Sequence, residues 1–117
     1  MSFGPFTSEA SMRFAAAPVP GPVTNLVVSQ PDLSVDTALV SFVAPDVDDQ
    51  GRPLKALSGV EIRYRDESFI DKIESLVGEL PVVNHVLTAA DIGQPCQVQI
   101  ENLGFDHDFF AAVRPFI

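Results

Sequence analysis

Residues 60–65 read Val60-Glu61-Ile62-Arg63-Tyr64-Arg65, and this alternation decides the fold class. Val60, Ile62 and Tyr64 fall on one side and the three charged residues on the other. That is the period-two pattern of a strand with one face on a core and one in water. Shorter runs on either side repeat it. Residues 23–29 (VTNLVVS) form a first strand, and residues 37–43 (TALVSFV) set Ala38, Val40 and Phe42 against Leu39, Ser41 and Val43. In residues 97–100, Val98 and Ile100 oppose Gln97 and Gln99, and in residues 109–113 Phe109, Ala111 and Val113 turn inward. Turn formers separate these runs and no long helical period intervenes. The expected class is all-β, an antiparallel β-sandwich.

Composition supports the same conclusion. A chain of 117 residues holds one ordinary domain, and ten Pro and seven Gly favour short segments joined by turns over long helices. With 46% apolar and 20% charged residues it is not compositionally disordered. Seven basic residues against sixteen acidic give a net charge of −9. That balance repels phosphate backbones and anionic lipid heads, so the expected partners are other protein subunits, copies of the chain included, with no nucleic acid and no membrane insertion. Cys96 is the single cysteine, which excludes an intrachain disulfide and a cysteine-based zinc site within one chain. No apolar run approaches a bilayer span, and the N-terminus lacks a basic start followed by an apolar block. Synthesis for the cytoplasm or for an assembly is therefore expected over classical secretion.

Two segments depart from the strand texture. Residues 1–22 mix Gly, Pro, Ser and Ala with the spaced large side chains Phe3, Phe6, Met12 and Phe14, and end in Pro18-Val19-Pro20-Gly21-Pro22. Such chain is extended and resists packing into a helix or central strand. Two readings stand: a solvated leader, and an arm that docks on a neighbour, since four large apolar side chains are wasted in water. Residues 69–77 place Phe69, Ile70, Ile73, Leu76 and Val77 at the spacing of one helix face. Ser68 with Asp71 resembles a capping box and Gly78 is a natural stop, so a short helix is expected there. A smaller helical turn is expected at residues 88–93, from Thr88 to Gly93.

Ala44-Pro45, then Asp49-Gln50-Gly51-Arg52-Pro53-Leu54, then the alternating run at residues 60–65, resemble the B–C region of fibronectin type III domains. Phe42 stands three residues before Pro45, where that family usually places its core tryptophan. Ile100, Leu103 and Gly104, followed by Phe109-Phe110-Ala111-Ala112-Val113-Arg114, resemble its E strand, E–F turn and F strand. Pro20-Gly21-Pro22-Val23 resembles the opening of strand A. The likeness covers residues 20–117 with gaps. Phe109 replaces the tyrosine whose hydroxyl ties down the E–F corner. The likeness also implies a seventh strand, G, beside F; the sequence given stops at Ile117, so G is missing or supplied by another segment. The N-terminal arm is the expected donor, in its own chain or in a neighbour, unless the helix at residues 69–77 covers the gap.

Candidate chemistry is sparse. Asp46, Asp48 and Asp49 cluster as hard cations require, but a Leu stands at position 57, where an EF-hand would close with Glu, so the bland reading is a solvated acidic loop. Asp106-His107-Asp108 favours a protonated imidazole without forming a catalytic constellation. His85 is read as a surface residue on a strand and Cys96 as a small, semi-buried apolar one. Ser41, Ser58 and Ser68 lack a nucleophile context, and the glycines are scattered rather than grouped into a phosphate loop. The expectation is a non-enzymatic module with no catalytic, metal or cofactor-binding residues. Its contacts are expected through Phe3, Phe6, Met12 and Phe14, with Phe69, Ile73, Leu76 and Val77 as a second patch. Domains of the resembled family serve as adhesion or receptor modules and as virion components such as bacteriophage head or tail parts. The assembly component is the reading favoured here, against adhesion and against a carbohydrate-binding accessory domain, for which Tyr64 is the single Tyr and no Trp exists.

Overall fold

The computed structural model describes residues 2–6 and 8–117; Met1 and Thr7 of the expected arm lie outside the described residues. Six strands form: β1 (Thr24–Ser29), β2 (Ala38–Val43), β3 (Gly59–Arg65), β4 (Val82–Val86), β5 (Pro95–Ile100) and β6 (Phe110–Phe116). They make two three-stranded antiparallel sheets, in the orders β1-β2-β5 and β4-β3-β6. The fold is thus broadly all-β, with one short helix.

Alternation builds the core. Ala38, Val40 and Phe42 of β2 are buried and lie opposite Ile100, Val98 and Cys96 of β5, which are buried too. Val60 and Ile62 of β3 come from the other sheet and have no exposed surface. Ala44, Leu57 and Leu87 complete one cluster shared by both layers. Each large aliphatic side chain buried this way contributes roughly 1.5–3 kcal/mol, and that burial holds the sheets together. Tyr64, in phase with Val60 and Ile62, packs at the cluster's edge with its ring 5.6 Å from that of Phe109. On the outer face of β3, Glu61 is paired with Arg63 of its own strand and with Arg114 across on β6.

Several expectations need correction. The short helix expected at residues 69–77 is present, as a 3₁₀ turn (Ile70–Lys72) running into a single α turn, α1 (Ile73–Leu76), but neither carries a side-chain cap. Asp71 and Ser68 therefore form no capping box. The real one lies in the turn at residues 88–93, where Thr88 and Asp91 satisfy each other's groups around a 3₁₀ turn (Ala89–Asp91). Strand β4 falls where a strand is expected about His85, and the structure supplies its bounds. It lies at the sheet edge with Val82, Asn84 and Val86 exposed, so its sequence carries little apolar contrast. His85, expected on the surface, is half-buried opposite Val60. The final strand also runs further than expected, to Phe116.

Gly59 begins β3 under the ring of Phe116. A Cβ there would stand 2.6 Å from the His85 carbonyl oxygen and 2.7 Å from Phe116 Cζ, distances no side chain tolerates. Gly59→Ala is expected to cost about 1–3 kcal/mol through this overpacking. Ile62→Ala is expected to cost about 2–5 kcal/mol through the cavity it leaves. Urea titration of each variant against the parent chain checks both values.

Candidate interaction surface

The arm is clamped at its root and free beyond it. Gly21 N–H donates to the Val47 carbonyl (2.9 Å) and Asp49 N–H to the Val19 carbonyl (2.8 Å), so residues 19–21 lie as a short extra strand against residues 47–49. A Cβ on Gly21 would meet the Val47 oxygen at 2.9 Å, so this close approach requires glycine. N-terminal to that clamp, Phe3, Phe6, Met12 and Phe14 are 73% to 104% exposed. The molecule measures 82 × 31 × 28 Å with a radius of gyration of 21.0 Å, against about 13 Å for a compact chain of this length. The long axis is the arm. Among the described residues the arm does not fold back onto its own body, one of the two routes expected.

The second component is β6. Its inner side pairs with β3 along its whole length; among the described residues nothing pairs with its other side. Pro115 lies in this strand opposite Val60. Proline has no N–H, and within a ladder it is tolerated where its nitrogen faces away from the neighbour. That phase turns the N–H and C=O of Ala111 and Val113 to the same free side. The core is open here as well. Val28 of β1 lies opposite the fully buried Val40 and so faces inward, yet it is 38% exposed, and Leu26 is 39% exposed. Phe109, Ala111 and Val113 face the core but are only half-buried.

A groove of about 400 Å³ follows this edge, lined by Val23, Leu26, Phe69, Ile70, Phe110 and Val113. Phe69 is 3% exposed, so it forms the groove's floor rather than a protruding contact. Ile73, Leu76 and Val77 are half-buried, with Ile73 and Val77 beside Ala112 and Arg114 on the outer face of β6. The short helical segment thus flanks the open edge without filling it. Val23, Leu26 and Phe110 were absent from the sequence-derived contact set; the signal that points to them is Pro115, which marks β6 as an edge strand.

The polar clusters serve structure. Asp48 is buried, with Oδ1 accepting from Gln50 N–H and Arg52 N–H and Oδ2 accepting from Arg52 Nε at 2.8 Å. Burial raises its pKa, but the bonds from Arg52 and Gln50 outweigh this and hold it below the usual carboxylate value. Asp48 thereby ties the loop to which the arm's root is clamped. The β5–β6 corner is tied by His107. Its Nδ1 lies 2.6 Å from the Asp108 carbonyl and its Nε2 2.7 Å from the Leu103 carbonyl. Only the imidazolium can donate to both. The Asp108 carbonyl, then that of Leu103, raises the pKa, against a smaller opposing effect of desolvation, with Asp66 adding to the rise. Asp36 completes the corner by accepting from the N–H groups of Leu103 and Gly104. Cys96 is buried, and that burial pushes its thiol pKa up.

These shifts set a pH window. Asp48 and Glu61 (the latter lowered chiefly by Arg114) have depressed pKa values, so their stabilisation is present above about pH 4–4.5 and lost on acidification. His107 has a raised pKa, so its contribution is full below about pH 6.5 and lost as pH rises through its folded value. Thermal stability is therefore expected to peak between about pH 4.5 and 6.5. His107→Ala should flatten the alkaline limb of a Tm–pH profile and leave the acid limb unchanged. Comparison with protein family models, with curated proteins and with solved structures returned no match to this chain, so its function is read from this surface.

Proposed function

We propose that the chain is a non-enzymatic structural and protein-interaction module, a subunit of a larger assembly that engages neighbours through its N-terminal arm and the open edge of β6. The observation that carries this reading is the pairing of an apolar, extended arm with an unpaired core-facing strand in one molecule. Either feature in isolation leaves apolar surface or backbone groups in water, and soluble proteins suppress such edges.

The fibronectin type III resemblance gains support from the strand order. β1, β2, β3, β5 and β6 take the places of strands A, B, C, E and F, with Phe42 in the core where that family sets its tryptophan. In related sandwiches F lies between C and G. Here β6 has β3 on one side and, among the described residues, nothing paired on the other. A non-enzymatic role is favoured by what the polar residues do: Asp48 and His107 are engaged in loop and corner bonds, and Cys96 is shielded. Tyr64, packed on Phe109, offers no exposed aromatic platform, which weighs against carbohydrate binding. The virion or particle setting accords with a self-contained module whose apolar contacts lie on an arm.

The test is mass in solution by light scattering. The full chain is expected to form species heavier than a monomer, and a chain lacking residues 2–17 to remain folded and monomeric. A full chain that stays monomeric at every concentration, with circular dichroism and mass unchanged by the deletion, would refute an arm-mediated assembly role.

A further inference from the structure

From the arm's sequence phase and the geometry of β6 we infer that residues 6–17 of one copy form the strand that completes the sheet of a second copy, pairing along the free side of β6. This rests on the assembly reading above and names its partner and its contact.

The arm carries a strand pattern where it is free of proline. Between Pro5 and Pro18, the residues Phe6, Ser8, Ala10, Met12, Phe14 and Ala16 share one side of an extended chain, and Glu9, Ser11 and Arg13 share the other. The first face is apolar or small throughout, and the second carries the charged residues Glu9 and Arg13 with Ser11 before it ends in Ala15 and Ala17; this contrast suits a strand with one side on a core. Phe3 precedes Pro5 and is out of phase. The donated strand places Met12 and Phe14 over the groove between β1 and β6, against Leu26, Phe69 and Val113, while its backbone meets the free N–H and C=O groups of Ala111 and Val113. Pro115, with no donor to offer, ends the pairing.

Geometry favours a second copy over the arm's own body. The arm is rooted at the 47–49 loop, at the same end of the molecule as the start of β1 and the end of β6, where Phe116 lies opposite Gly59. To reach its own β6 it would have to reverse immediately before the Val19–Gly21 clamp, within the proline-rich root. Reaching a neighbour needs no reversal. Charge favours the same solution. Glu9 and Arg13 cancel within residues 1–22, so the full −9 lies on residues 23–117. Two such bodies repel when packed face to face, whereas a donated strand of zero net charge adds nothing to the negative charge of the body that receives it. The area suffices as well: Phe6 and Phe14 bury roughly 150–250 Å² each, and a reciprocal exchange, counting both surfaces, removes roughly 1,200–2,000 Å² from water, the size of a stable interface.

The test is complementation between two full-length variants. One carries Met12→Ser and Phe14→Ser, which spoils the donor strand and leaves the edge intact. The other carries Ala111→Pro, which removes an outward N–H and no bond to β3, leaving the arm intact. Each alone is expected to be monomeric and their mixture to give a 1:1 heterodimer by light scattering. In case Ala111→Pro does not fold, a synthetic peptide of residues 6–17 is added to the Met12→Ser/Phe14→Ser chain. It should slow hydrogen exchange at the Ala111 and Val113 amides by about tenfold or more, and the same peptide bearing both serines should not. If the parent chain assembles but the mixture stays monomeric, or the peptide leaves both amides unprotected, strand donation to β6 is wrong while the assembly reading survives. If the parent chain is a monomer with no slowed exchange at Ala111 and Val113, both fall.

Discussion

Backbone N–H and C=O groups must be hydrogen-bonded wherever water is scarce, and a strand carries them on both sides. β6 meets that requirement on one side, through its ladder with β3, and among the described residues leaves it open on the other. Much of the rest of the molecule is a response to that asymmetry. Pro115 blunts the edge by removing a donor, the segment after β3 folds into a short helical stretch beside it, and Phe69 is drawn in as the floor of the remaining groove. These devices reduce the exposed edge without closing it. Leu26 and Val28 of β1, which face the same opening, stay partly in water.

Most of the body was legible in the sequence because burial contrast wrote it there. Val60, Ile62, Val98 and Ile100 alternate with polar neighbours, and all four are core residues. Phe42, read as the stand-in for a family tryptophan, is core too. The reading failed where contrast is weak. Val82–Val86 is an edge strand with exposed valines, and short-range pattern marks only a strand about His85 without its bounds. The apolar spacing at residues 69–77 marked a short helix and one is there, but Phe69 is pulled inward and Ile70 is left outside, and the helix is a 3₁₀ turn before one α turn.

The site was half legible. The large apolar residues of the arm stood out at once, because nothing in a Pro- and Ala-rich terminus explains them. The groove did not, since Val23, Leu26 and Phe110 come from segments far apart in the chain and only the two-sheet arrangement brings them together. The roles of His107 and Asp48 were hidden for a related reason. Each looks like part of an acidic surface loop, and their bonds to backbone groups of the same loops become visible only in three dimensions.

The clamp at Val19–Gly21 has a mechanical corollary. Tension applied along the tether reaches the two peptide hydrogen bonds across to residues 47–49 before it reaches β1. The load passes into a small loop braced by the Asp48–Arg52 pair, not into the packed layers behind it. In the proposed assembly, a lattice of such units can be strained or flexed at its joints while every protomer keeps its shape.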